Sequence, residues 1–202
     1  MAHRKAPHEI WLVRHGPVDV QDGTCLGWTD VPLLDPERTR QGSITLARRI
    51  GDAEAVYSSD LSRAVDTARP LAEEIGTEMI ATDTLREMNF GRWEMKSWRD
   101  LVESKDEHFA LFVKAWFQVA TPDGESYADM TARVQKFWKH VELSHVGATV
   151  VIVAHGGSLA VLSTILLNWH AKDAMKNMLD RGHAGYINLT NASHEWNIDP
   201  FA

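Results

Sequence analysis

Two apolar runs, Ile10-Trp11-Leu12-Val13 and Thr149-Val150-Val151-Ile152-Val153, constrain the fold of this 202-residue chain more than any other feature. Both are short and almost free of polar residues, so each reads as an interior strand covered on both faces. They also end alike, in Arg14-His15-Gly16 and in Ala154-His155-Gly156-Gly157. A strand that passes through a glycine turn into a helix sets backbone N–H groups and a helix amino terminus at the sheet's carboxyl edge, where open α/β sheets bind ligands. Two histidines can therefore converge on one crevice, beside the guanidinium of Arg14.

Four segments read as interior strands: Glu9 to Arg14, Ala53 to Ser58, Met79 to Thr82 and Thr149 to Ala154. Each is apolar and bounded by Gly, Asp or Ser. Between them, Asp35 to Ile50 and Asp60 to Ile75 carry apolar residues at helical spacing, with Gly51 and Gly76 where C-caps belong. The alternation predicts a three-layer, doubly wound α/β fold: a largely parallel sheet with helices on both faces. With no repeat or linker-like tract, the reading is of a single domain.

From Asn89 to Tyr127 the pattern changes to a helical stretch dense in aromatics, among them Trp93, Trp98, Phe112 and Trp116. Residues 89–127 are expected to form a helical cap over one end of the sheet. Pro122-Asp123-Gly124 is a turn, and Glu125-Ser126 opens a helix to Leu143. Helices from Ser158 to Trp169 and from Ala171 to Leu179 follow, then two edge strands, Gly185 to Thr190 and His194 to Ile198. Of the eight tryptophans, Trp28 and Trp93 are the candidate walls of a substrate pocket.

The formal charge of −7 argues against nucleic acid as the main partner, since backbone binding needs broad basic surface. A small phosphate ester needs only a local cluster of cations. The amino-terminal apolar run is too short for a membrane span or a signal-peptide core. Cys25 is the single cysteine, so no internal disulfide can form. These features suit a cytoplasmic protein. The ten histidines show no His-Glu-x-x-His or clustered Cys/His spacing, so neither a metal nor another cofactor is expected.

Two more groups belong to the same sheet edge. Arg63 lies in the first turn of the helix that Asp60 is expected to cap, directly after the second strand. Glu87, in Leu85-Arg86-Glu87-Met88-Asn89-Phe90-Gly91-Arg92-Trp93-Glu94, leaves the third strand at that edge and can exchange a proton with a leaving oxygen.

Taken in order, the Arg-His-Gly strand end, Ser58-Ser59-Asp60-Leu61-Ser62-Arg63-Ala64, the Leu85 to Glu94 loop, Pro122-Asp123-Gly124-Glu125-Ser126 and Val153-Ala154-His155-Gly156-Gly157 resemble the histidine phosphatase superfamily. The resemblance covers almost the whole chain. It implies that His15 is the nucleophile, that Arg14, Arg63 and His155 hold the phosphoryl group, and that Glu87 is the proton donor. Backbone N–H groups near Gly16 and Gly156 are expected to add to that hold.

The segment after His15 bears on substrate, and Gln21, Cys25, Leu26, Gly27, Trp28 and Gly156 are the candidate substrate contacts beside the two arginines. Mutases of the superfamily usually place Glu after the glycine of the first motif and Asn a few residues on. Pro17 and Gln21 stand there instead, and Cys25-Leu26-Gly27 with Thr29-Asp30-Val31-Pro32-Leu33 is more similar to α-ribazole phosphatases. The expectation is a metal-independent phosphomonoesterase of a small metabolite, with α-ribazole phosphate the specific candidate. A bisphosphoglycerate-dependent phosphoglycerate mutase and a non-catalytic phosphate-binding protein are the alternatives. An α/β-hydrolase esterase would need a Gly-x-Ser-x-Gly elbow, which the chain lacks. The cap or the edge strands could support a homodimer.

Overall fold

Residue alternation within the strands sets the layers. In β1 (Glu9–Arg14), Ile10 and Leu12 pack into one apolar cluster while Trp11 and Val13 pack into another, and all four are buried. In β4 (Thr149–Ala154), Val150 and Ile152 join the first cluster and Val151 and Val153 the second. Burial on both faces explains why these strands are continuous apolar runs. The computed structural model describes residues 6–180, 184–190 and 193–198.

The other strands are β2 (Ala55–Ser59), β3 (Met79–Thr82), β5 (Ala184–Asn188) and β6 (Ser193–Ile198). They form one six-stranded sheet in the order β3-β2-β4-β1-β5-β6. β3, β2, β4 and β1 are parallel, while β5 and β6 add antiparallel to the β1 edge. The fold is thus the expected layered α/β arrangement with a mixed sheet.

Helices α1 (Pro36–Ile50) and α2 (Ser62–Ile75) cover the Trp11 face, burying Leu46, Ala68 and Leu71 there. α5 (Tyr127–Ser144) and α6 (Gly156–Leu167) cover the Ile10 face, and α7 (Ala171–Asp180) packs on α6. Between β3 and α5 the chain forms two short 3-10 turns, Asp83–Leu85 and Gly91–Trp93, and two short helices, α3 (Trp98–Glu103) and α4 (Glu107–Ala115). The 89–127 segment is therefore less helical than its composition suggests. Among the described residues, no helix is long and apolar enough to cross a membrane.

Asp35 caps α1 by accepting the Arg38 N–H at 2.9 Å, and Gly51 and Gly76 close α1 and α2 at positive φ, as expected. Asp60, however, does not cap α2. The N-cap is Leu61, with no side-chain bond, because the Asp60 carboxylate is held by Arg86 in a two-bond fork of 2.7 and 2.6 Å. Asp30 takes over part of its work, accepting both the Ser62 N–H at 2.9 Å and the Ser62 hydroxyl at 2.8 Å. The segment after β1 is thereby tied to the start of α2. A second difference is that α6 begins at Gly156 instead of Ser158, so His155 is itself the N-cap residue.

Candidate active site

The parallel register of β1 and β4 sets Arg14 opposite Ala154, so the next residue of each strand emerges beside its neighbour. The His15 N–H donates to the Ala154 carbonyl at 3.0 Å, and the two imidazole centroids lie 5.0 Å apart with 55° between the planes. His15 Nδ1 is 2.8 Å from the Gly16 carbonyl oxygen. A carbonyl only accepts, which assigns the proton to Nδ1 and leaves the lone pair of the neutral ring on Nε2.

β2 neighbours β4, and its exit carries Arg63 to the same edge. Arg63 is 1% exposed, a buried cation and not a helix-surface one. It donates from Nη1 to the Thr29 carbonyl at 3.0 Å and from Nη2 to the Gly27 carbonyl at 2.6 Å. Burial pushes the pKa of both Arg14 and Arg63 below the usual arginine value, and the Glu87 charge opposes that shift. Both guanidinium groups remain cations. The Gly16 N–H does not face them as the sequence suggests. It donates to Thr67 Oγ1 at 3.0 Å, which in turn donates to the Arg63 carbonyl at 2.7 Å, because α2 passes directly behind the turn.

His155 is 1% exposed. Burial first, then the charges of His15, Arg63 and Arg14, hold its pKa well below 6.5. A folded-state value below the unfolded one gives stability that is present above the unfolded pKa and lost as pH falls beneath it. Thermal denaturation of the ligand-free protein should show a decline in Tm below about pH 6.5, where the unfolded histidine takes up a proton that the folded ring resists. His155→Asn should flatten that decline; an unchanged pH dependence in the variant would contradict this assignment.

Among the described residues, seven buried side-chain atoms lack a hydrogen-bond partner, and five of the seven belong to Arg14, Arg63, Tyr127 and His155. All four residues line one cavity of about 740 Å³, together with His15 and Glu87. An unsatisfied buried polar atom costs roughly 1–3 kcal/mol. Donors concentrated around the Arg14 and Arg63 cations suit the site to an oxyanion, which can accept from the guanidinium groups, the Tyr127 hydroxyl and the one ring N–H of neutral His155.

Glu87 is fixed at the rim by two backbone donors, Met88 N–H to Oε1 at 2.8 Å and Gly157 N–H to Oε2 at 2.9 Å. A Cβ at position 157 would overlap Glu87 Oε1, so glycine is what lets the carboxylate reach the start of α6. The Glu87 carbonyl accepts from Trp28 Nε1 at 2.7 Å and from Arg133 Nη2 at 2.8 Å. Arg133, on α5, also donates to the Thr84 and Arg86 carbonyls and to Glu125 at 2.6 Å, clamping the loop that presents Glu87. Glu94 does the same for the neighbouring segment: its carboxylate accepts the N–H groups of Gly27, Trp28, Thr29 and Phe90 at 2.9 to 3.1 Å. It therefore sets the two carbonyls that hold Arg63.

Of the other sequence-selected contacts, Gln21, Leu26 and Gly156 line the cavity, whereas Cys25, Gly27 and Trp28 do not. Glu94 draws the backbone of 27–29 towards the Phe90 loop, and the Trp28 ring turns to the Glu87 carbonyl and lies 4.9 Å from the Arg86 guanidinium carbon. Trp93 stands behind the wall, edge-on to Phe112 at 5.1 Å. Cys25 is fully buried, and burial, with Glu94 and Glu87 adding, pushes its thiol far up, so it is packing and not a reactive group. Arg133, Glu94 and Tyr127 had no assigned role from sequence. Only Tyr127 had a local signal, since the Ser126–Asp129 capping box places it at the first position of α5.

Paired histidines and arginines at the carboxyl edge of a parallel sheet, with a carboxylate across the cavity, define a phosphoryl-handling histidine site. The family model described as histidine phosphatase superfamily (branch 1) matches residues 10–201. The chain is 29% identical to the adenosylcobalamin/alpha-ribazole phosphatase of Salmonella typhimurium over 174 residues, 86% of each chain. It is 31% identical to the metal-independent phosphoserine phosphatase of Arabidopsis thaliana over 160 residues, 76% of this chain and 66% of that one. In fold it is similar to the alpha-ribazole phosphatase structure from Shigella flexneri, with a TM-score of 0.76, 24% identity and coverage of 93% and 94%. The chain belongs to the histidine phosphatase superfamily and is a phosphatase.

Proposed function

We propose that the protein is a metal-independent phosphomonoesterase that forms a phosphohistidine on His15. The observation that carries this reading is the convergence of His15, His155, Arg14, Arg63 and Glu87 on one cavity, with the His15 and His155 rings 5.0 Å apart. The Nε2 lone pair of His15 attacks phosphorus in line, and the phosphorus–ester oxygen bond breaks with its electrons on the leaving oxygen. Glu87, as the acid, protonates that oxygen and the alcohol departs. Glu87, now a carboxylate, takes a proton from water as the water oxygen attacks phosphorus. The phosphorus–nitrogen bond breaks, returning neutral imidazole and releasing inorganic phosphate. The Gly16 carbonyl, accepting from Nδ1–H, supports the positive ring of the phosphorylated state.

Arg14, Arg63 and His155 surround the transferring oxygens. Loss of one such preorganised donor typically raises a barrier by about 2.7–4 kcal/mol. Phosphoryl transfer is mainly positioning and electrostatics, which these fixed cations supply. Among esters, α-ribazole phosphate is the specific candidate, supported by the Salmonella relative's name and by the loop after His15. Phosphate release from a panel of metabolite monoesters, run with a chelator present, tests this reading. The expected result is hydrolysis that the chelator does not reduce. Loss of turnover on chelation, restored by a divalent metal, would overturn the metal-independent assignment.

A further inference from the structure

The cavity, at about 740 Å³, is far larger than a phosphoryl group, and its lining combines a few cations with many apolar side chains. Among its described lining residues, every cationic or imidazole side chain, Arg14, His15, Arg63 and His155, belongs to the phosphoryl end. The rest of the lining is mainly apolar, with five aromatic rings, Phe90, Trp98, Phe112, Trp116 and Tyr127, beside aliphatic and methionine side chains such as Leu26 and Met130. These rings brace one another, Phe90 against Trp98 at 5.3 Å and Trp116 against Tyr127 at 4.5 Å, both edge to face. Phe112 is backed by Trp93, itself edge-on to Phe109 at 5.3 Å. The charged side chains of the loop that lines the opening, Asp19 and Asp22, are exposed and acidic.

We infer that this site selects phosphate monoesters with a single anionic group and an uncharged, flat apolar leaving group, and discriminates against esters whose leaving group carries a carboxylate or a second phosphate. The inference rests on the phosphatase reading of the same site. A flat leaving group gains ring contacts along a preformed wall, and such contacts contribute about 0.5–1.5 kcal/mol per pair beyond buried area, or roughly 2- to 10-fold in rate. A second anion finds no matching cation among the described lining residues and meets Asp19 and Asp22 instead. Phosphoglycerate and phosphoserine, which bear carboxylates, are thus poor fits, whereas an aromatic nucleoside monophosphate is a good one. The distinction separates the substrate classes in the two relatives' names on the basis of this chain's own residues.

The test compares 2-phenylethyl phosphate, O-phosphoserine and 3-phosphoglycerate, all alkyl esters, so that phenol-type leaving-group activation does not enter the comparison. The readout is the ratio of kcat/KM values within one preparation. Wild-type enzyme should prefer 2-phenylethyl phosphate by roughly 10-fold or more. Trp98→Ala, at a half-buried ring, should lower the ratio over phosphoserine at least about 3-fold. Asp22→Lys, at an exposed position, should shift the ratio towards 3-phosphoglycerate. Equal or reversed preference in the wild type, or ratios that neither variant moves, would overturn the inference while leaving the His15 reading intact. Hydrolysis by His15→Ala with the same preference would support the selection and remove the phosphohistidine reading instead.

Discussion

Replacing His15 by alanine should abolish turnover, lowering kcat by roughly 10⁴- to 10⁶-fold, the range found when a nucleophile that works as part of a unit is deleted. The substitution removes the atom that forms the covalent intermediate. It leaves Arg14, Arg63 and His155, whose buried donors define the oxyanion site. Inorganic phosphate should therefore still bind the variant and raise its Tm, as a ligand specific for the folded state must. Steady-state kinetics together with thermal shift in phosphate would check both halves. A variant that retains turnover within about tenfold of wild type would show that His15 is not the nucleophile.

Glu87→Gln should lower kcat/KM for alkyl esters by roughly 10²- to 10⁴-fold, the usual share of general acid–base catalysis. The effect should shrink for p-nitrophenyl phosphate, whose leaving group departs without a proton. Gly157→Ala should reproduce part of this pattern, since its Cβ displaces the Glu87 carboxylate from the Gly157 N–H that now holds it at 2.9 Å. Equal losses with alkyl and nitrophenyl esters would point to a structural role for Glu87 and not to proton transfer.

What could be read from sequence was what depends on neighbours along the chain. β1 and β4 lie where their apolar runs place them, because burial on both faces leaves little ambiguity, and β3, a half-exposed edge strand, also falls where its short run places it. His15 and His155 stood out because each follows such a strand and precedes glycine. The rest was decided by partners distant in sequence. Asp60 has the local signature of a helix cap, yet Arg86, 26 residues on, claims its carboxylate. Glu94 meets the 27–29 backbone across 65 to 67 residues, and Arg133 meets the 84–87 loop across 46 to 49. No periodicity reports such contacts. The same long-range pull explains why Cys25, Gly27 and Trp28, close in sequence to the nucleophile, do not line the cavity. Tyr127 was legible as a helix start, but its exposure to the cavity depends on how α5 seats on the sheet.

The central claim is that phosphorus is transiently bonded to one imidazole nitrogen. Rapid-quench mass spectrometry of the enzyme mixed with p-nitrophenyl phosphate, worked up under alkaline conditions that preserve phosphohistidine, tests it most directly. The account predicts a phosphoryl adduct on the peptide containing His15, lost on brief acid treatment and absent from His15→Ala. Turnover with no such adduct on the pre-steady-state timescale, or an acid-stable phosphate on another residue, would contradict it.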